Sequence, residues 1–122
     1  RKDREVAEIQ RENFRKAVKL GIKMIMGTDT GVHRHGDSPK QLAVMVRYGM
    51  TPMQALQAAT INGADALGLK GQVGAIAADH FADIVAVEGD PLNDVRLLEN
   101  VQFVMKAGDV VKAPKGIASS AR

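Results

Sequence analysis

Cysteine and tryptophan are absent from this 122-residue chain, and its aromatic residues are one tyrosine and three phenylalanines. Without cysteine there is neither a disulfide nor a thiolate metal site, so any metal must be held by His, Asp or Glu side chains. So few aromatics leave little to stack on nucleic-acid bases, and a core must be built from Val, Ile, Leu, Met and Ala. No apolar run approaches the ~20 residues that span a bilayer, and no signal-peptide pattern opens the chain. It begins with Arg1 rather than Met, so a start further upstream is expected and no compartment is assigned. The net charge is only +3. Asp3, Glu5, Glu8 and Glu12 are interleaved with the basic residues near the start, the pattern of a solvated, ion-paired helix face rather than a phosphate-binding stripe. Neither nucleic acid nor a membrane is expected as a partner.

What is present is clear helix punctuation. Val6, Ile9, Phe14, Ala17, Val18 and Leu20 recur at helical spacing over residues 3–20, and Gly21 is placed to stop that helix. Residues 22–26 are almost wholly apolar and read as a strand buried on both faces. Gly27, Thr28 and Asp29 end it, and residues 30–37 (TGVHRHGD) read as a loop. Ser38 as N-cap, Pro39 as first helical residue and Gln41 as reciprocal partner predict a helix to about Tyr48. Thr51, Pro52 and Gln54 repeat the pattern for a helix to about Ala59, and Thr60 opens a shorter one ending at Gly68. The periodicity then changes. Residues 82–88 (ADIVAVE) and 101–106 read as strands, with a hairpin turn at Gly108-Asp109 leading into residues 110–112. Gly89-Asp90-Pro91 breaks the chain between strands. The tail from Pro114 is small and polar. The order is thus α/β, but one strand makes no parallel sheet, and a complete (β/α)8 barrel needs about 250 residues.

Few residues can carry chemistry. Asp29 follows a buried strand, the place where barrel enzymes put catalytic side chains. A carboxylate there can bind a metal or exchange a proton with water, or it can simply cap the turn. His33 and His35 form an alternating pair that could serve zinc or lie exposed on a loop; with Asp29 and Asp37 they would make a four-residue set. The Gly71–Gly74 spacing lacks the Lys-Ser/Thr of a phosphate loop and reads as a turn. His80 reads as a surface or turn histidine and Asp83 as structural.

Four runs in order, GIKMIMGTDTG with the HGD at residues 35–37, GMTPMQALQAATINGADALGL, ADIVAVEGDPL and NVQFVMKAGDVV, resemble the C-terminal third of the amidohydrolase superfamily. Within it they are most similar to the branch of imidazolonepropionase-like and Xaa-Pro dipeptidase-like enzymes. The resemblance implies the C-terminal part of a TIM-like (β/α)8 barrel, its last strand and helices, plus the C-terminal strands of a small β-sandwich. Residues 1–70 would be the barrel's end, 71–113 the sandwich strands and 114–122 a flexible tail. It implies that Asp29 is the catalytic aspartate on strand eight and a ligand of a divalent metal, zinc or similar, with one or two ions in the complete enzyme. His35 would contact substrate, an amide, cyclic amide or dipeptide whose C–N bond is hydrolysed by metal-activated water. The family's own His-x-His motif lies on strand one, far before GTD, so His33 and His35 are not that motif. Ala78-Asp79 also stands where the family often has Pro-Gly.

Two expectations follow. Either the chain is part of such a hydrolase and inactive alone, with the other ligands absent and its edges covered by the rest of the barrel or by a second copy. Or it is a non-catalytic α/β binding or assembly module with a closed core of its own. The first predicts association or partial disorder of the isolated chain; the second predicts a cooperative monomeric melt.

Overall fold

The structure, a computed structural model, describes residues 2–29, 31 and 34–115, without the side chains of Lys2 and Asp3. Helix α1 spans Lys2–Lys19, α2 Lys40–Arg47, α3 Pro52–Ala59 and α4 Ile61–Ala66. Strands β1 (Ile84–Ala86), β2 (Phe103–Lys106) and β3 (Asp109–Lys112) form one antiparallel sheet in that order.

Local chemistry explains the helix boundaries. Gly21, at φ 67°, ends α1. Its N–H reaches the Val18 carbonyl at 3.0 Å while that of Ile22 reaches Ala17 at 3.1 Å. This is the paired bonding of a Schellman end, which needs a left-handed residue and so favours glycine. Helices α2 and α4 end the same way at Gly49 and Gly68. At the start of α3, Thr51 Oγ1 accepts from the Gln54 N–H at 3.1 Å, and Gln54 Oε1 accepts from the Thr51 N–H at 2.8 Å. The capping box read from the sequence is therefore formed in full, with Pro52 at the first helical position.

The core sits among the helices. Leu42, Met45, Met50, Ala55 and Ala58 are buried together with Val95, and Phe14, Val18, Met24 and Met26 pack against them. Val95 belongs to a 3-10 turn, Val95–Glu99, that lies on α2. Asp94 caps this turn, accepting from the Arg96 N–H at 3.0 Å. The turn thereby ties the C-terminal region to the helical layer, and nothing in the sequence periodicity marks it.

Asp83 is structural, as expected. Its carboxylate accepts from Lys106 Nζ at 2.6 Å and from the Ala107 N–H at 2.8 Å, clasping the β2–β3 hairpin to the residue before β1. The Lys106 hydrogen bond, and then that from Ala107, hold this carboxyl below its usual value. The unfolded chain thus binds the proton more readily than the folded one. The stabilisation is full above the ordinary carboxylate range of about 4 and is lost as pH falls through the lower folded value. Asp83→Asn keeps an acceptor but no charge. The wild type is therefore expected to melt higher than this variant at neutral pH, with the gap closing in acid. A gap that stays constant with pH would show that the clasp is not ionic.

Several expectations need correction. Residues 22–26 do not form a strand, and they are not buried on both faces: Ile22 and Ile25 are more than half exposed. A strand is defined by its ladder, and among the described residues no neighbour pairs with this segment along its length. Ser38 is no N-cap. It lies in helical conformation (φ −53°, ψ −38°), whereas a cap is extended, because the 3-10 turn His35–Asp37 runs directly into α2. Thr60 precedes α4, but its hydroxyl donates back to the Leu56 carbonyl at 2.7 Å instead of capping. Strands β1 and β2 are shorter than read, and β3 begins one residue earlier, at Asp109. The hairpin turn is Ala107-Gly108, both at positive φ, one residue earlier than expected. Among the described residues the C-terminal strands form one three-stranded antiparallel sheet. The flexible tail expected at 114–122 lies, from residue 116, outside the described residues.

Candidate functional site

Asp29 ends the extended segment that crosses the helical layer. Two bonds hold this segment. The Met26 N–H donates to the Ala58 carbonyl at 2.9 Å, and Asn62 Nδ2 donates to the Met24 carbonyl at 2.9 Å. An ion pair between Lys23 and Asp65 adds a third attachment and holds the Asp65 carboxyl below its usual value, chiefly through the Lys23 hydrogen bond. Side chains alternate along extended backbone, and the exposure follows. Met24 and Met26 are half-buried against the helical core and Thr28 is half-buried, while Ile25, Gly27 and Asp29 are exposed; Lys23 is exposed too, but its ammonium turns back to Asp65 of α4. Asp29 closes that open row.

Its backbone is in the left-handed region, at φ 48°. Aspartate tolerates this better than most residues, and non-glycine residues held there concentrate at functional sites. Among the described residues no hydrogen-bond or ion partner occupies its carboxylate.

The 3-10 turn His35–Asp37 holds His35 exposed. Asp37 pairs instead with Lys40 at 2.6 Å, and that hydrogen bond raises the Lys40 ammonium above its usual value. A cleft of about 370 Å³ is lined by Thr28, Arg34, Asp37, Ser38, Lys40, Gln41 and Val44. Neither Asp29 nor His35 lines this cleft. Of the four residues that could have formed a self-contained metal set, His33 lies outside the described residues. Among the described residues no group of three His, Asp or Glu side chains comes together. His80 is a turn histidine, with Nδ1 3.1 Å from the Ala78 carbonyl. Gly71 and Gly74, both at positive φ, shape a turn as expected.

Residues 1–111 match the Amidohydrolase family. The chain is 32% identical to ochratoxinase of Aspergillus niger over 113 residues, 89% of this chain and 23% of that protein. It is 30% identical to imidazolonepropionase of Shouchella clausii over 108 residues, 81% of this chain and 24% of that protein. Among solved structures, a Xaa-Pro dipeptidase with methionine in its active site superposes with a TM-score of 0.81 at 40% identity, covering 84% of this chain and 25% of that one. The chain therefore spans about a quarter of the length of these relatives. With the match running from the first residue of α1 into β3, this chain belongs to the amidohydrolase family.

Proposed function

We propose that the chain is the C-terminal portion of a metal-dependent hydrolase that cleaves the C–N bond of an amide, cyclic amide or dipeptide. In this reading residues 22–29 are the last strand of a (β/α)8 barrel, α1 to α4 its outer helices, and β1 to β3 part of a small β-sandwich. The carrying observation is the exposed row Ile25, Gly27 and Asp29, with a left-handed carboxylate at its end. Barrel active sites lie at that end of the strands. The exposed Ile22 and Ile25 are then surfaces that neighbouring strands, or a second copy, would cover.

Asp29 would be one of several ligands of a divalent ion, zinc or similar, the others lying outside this chain. Such an ion supplies polarisation of the carbonyl and acidification of water when bound. The part assigned to this chain is proton handling. The Asp29 carboxylate takes a proton from the attacking water, the water oxygen bonds to the carbonyl carbon, and the C–N bond breaks as the proton passes to the leaving nitrogen. His35, exposed on the turn that follows, would contact the substrate.

The isolated chain tests the ligand count. After dialysis it is expected to retain well under one zinc per chain and to leave Xaa-Pro dipeptides and N-acyl amino acids intact, because a catalytic zinc needs about three protein ligands. Stoichiometric zinc surviving dialysis, or dipeptide hydrolysis by this chain alone, would contradict the assignment. The positive test is release of free amine from the same substrates by a protein joining this chain to the rest of such a barrel.

A further inference from the structure

Outside the site just described, three guanidinium groups converge on one aromatic ring. The carbons of Arg11, Arg15 and Arg47 lie over the Tyr48 ring, 5.5, 5.2 and 5.9 Å from its centroid. A ring has two faces, so at least two of these cations share one. Arg11 and Arg15 come from α1 and Arg47 from the last turn of α2, so only the packing of the two helices assembles the group.

The charge there is not balanced. Glu8 pairs with Arg11 at 2.7 Å. Glu12, the next carboxylate, is taken by Lys16 at 3.0 Å. Among the described residues neither Arg15 nor Arg47 makes a salt bridge, although the Glu12 carboxylate, bonded to Lys16, also attracts Arg15. The C-terminal carbonyls of α2 add about half a negative charge beside Arg47, which still leaves a surplus of more than one positive charge. The ring's electron-rich faces attract each cation but do not remove their mutual repulsion. Guanidinium forks match planar and tetrahedral oxyanions with two parallel hydrogen bonds. Beside the cluster, a groove of about 250 Å³ between α1 and α2, lined by Phe14, Val44, Met45 and Tyr48 among others, leaves room for the body of a small molecule.

We propose that Arg11, Arg15, Arg47 and Tyr48 form a binding site for a multiply charged oxyanion, a phosphate ester or polycarboxylate, on the surface where α1 meets α2. The proposal does not depend on the hydrolase reading, since no residue is shared with Asp29 or His35.

Tyr48 is the only tyrosine and there is no tryptophan, so tyrosine emission reports this site alone. At constant ionic strength, titrating the chain with pyrophosphate and separately with citrate is expected to change that emission saturably with at least one of them. Chloride at matched ionic strength should have no such effect. Arg15→Gln and Arg47→Gln should each weaken binding about tenfold or more, as loss of a charge-assisted hydrogen bond does. Arg34→Gln should leave it unchanged. Saturation by pyrophosphate alone assigns a phosphate ligand, and by citrate alone a carboxylate one. A linear response to both anions in the unmutated chain, or one that chloride reproduces, overturns the proposal, and this comparison needs no variant to fold. Equal weakening by Arg34→Gln would also overturn it, as a general effect of net charge.

Discussion

Asp29→Asn is expected to lower turnover of an amide or dipeptide substrate by about 10²- to 10⁴-fold, the range that a positioned proton-transfer group contributes. The measurement belongs to a protein joining this chain to the rest of the barrel. Asparagine preserves size and tolerates the left-handed backbone at this position, so the melting temperature should barely move while the rate collapses. That separation matters, because the alternative role for Asp29 is to hold the turn after residues 22–28. If Asn retains most of the activity, Asp29 is a turn residue and the proton passes through another group. If activity and melting temperature fall together, its role is structural.

Leu42→Ala is expected to cost about 2–5 kcal/mol, the range for truncating a large buried aliphatic side chain. Leu42 is 5% exposed at the centre of the cluster joining α2, α3 and the Val95–Glu99 turn. Only seven hydrophobic residues are buried among the described ones, and three of them are alanines, so Leu42 carries a large share of the close packing. A domain of this size is stable by only about 5–15 kcal/mol, and the variant should approach the point where the isolated chain no longer folds. Leu67→Ala is the control. Leu67 is 75% exposed, and its truncation should stay within about 0.5 kcal/mol. Denaturant titrations of the two variants should differ clearly in midpoint. Similar midpoints would mean that the helical core is not the stabilising unit of this chain.

The features visible in the sequence are those fixed by a few neighbouring residues. The Thr51-Pro52-Gln54 box and the glycine ends of α1, α2 and α4 depend on local hydrogen bonds, and they form as the residue types require. Asp83 was recognisable as structural, although its partners, Lys106 and Ala107, only meet it across the sheet. What depended on distant partners was misread. An apolar run such as 22–26 becomes a strand only when another strand lies beside it. The same run here is an extended segment with one side bare. Ser38 failed as a cap because the preceding 3-10 turn already supplies helical geometry. Val95 was invisible because a five-residue 3-10 turn has too little periodicity to stand out. Ala78-Asp79 is an instructive exception. The replacement of Pro-Gly removes the residue best suited to positive φ, yet Asp79 takes φ 65° and the His80 N–H closes the corner onto Ala77 at 3.3 Å. In the candidate site, the GTD run points to Asp29 only through its resemblance to a family, since spacing alone leaves two roles open. The arginine cluster could not be read at all, because α1 looks like a balanced charged face until Arg47 is brought to it by α2.

The grip of α3 and α4 on the extended segment also orders events in time. The helices from α2 to α4 are adjacent in sequence and can meet with little loop entropy to lose. The Asn62–Met24 bond joins residues 38 positions apart, and closing a loop of that length is an unfavourable step that its few hydrogen bonds repay slowly. Folding kinetics should therefore separate a fast phase, in which the helical layer condenses, from a slower one in which residues 22–28 dock. On that expectation Asp29 reaches its final place with the second phase, and a single phase for both would contradict it.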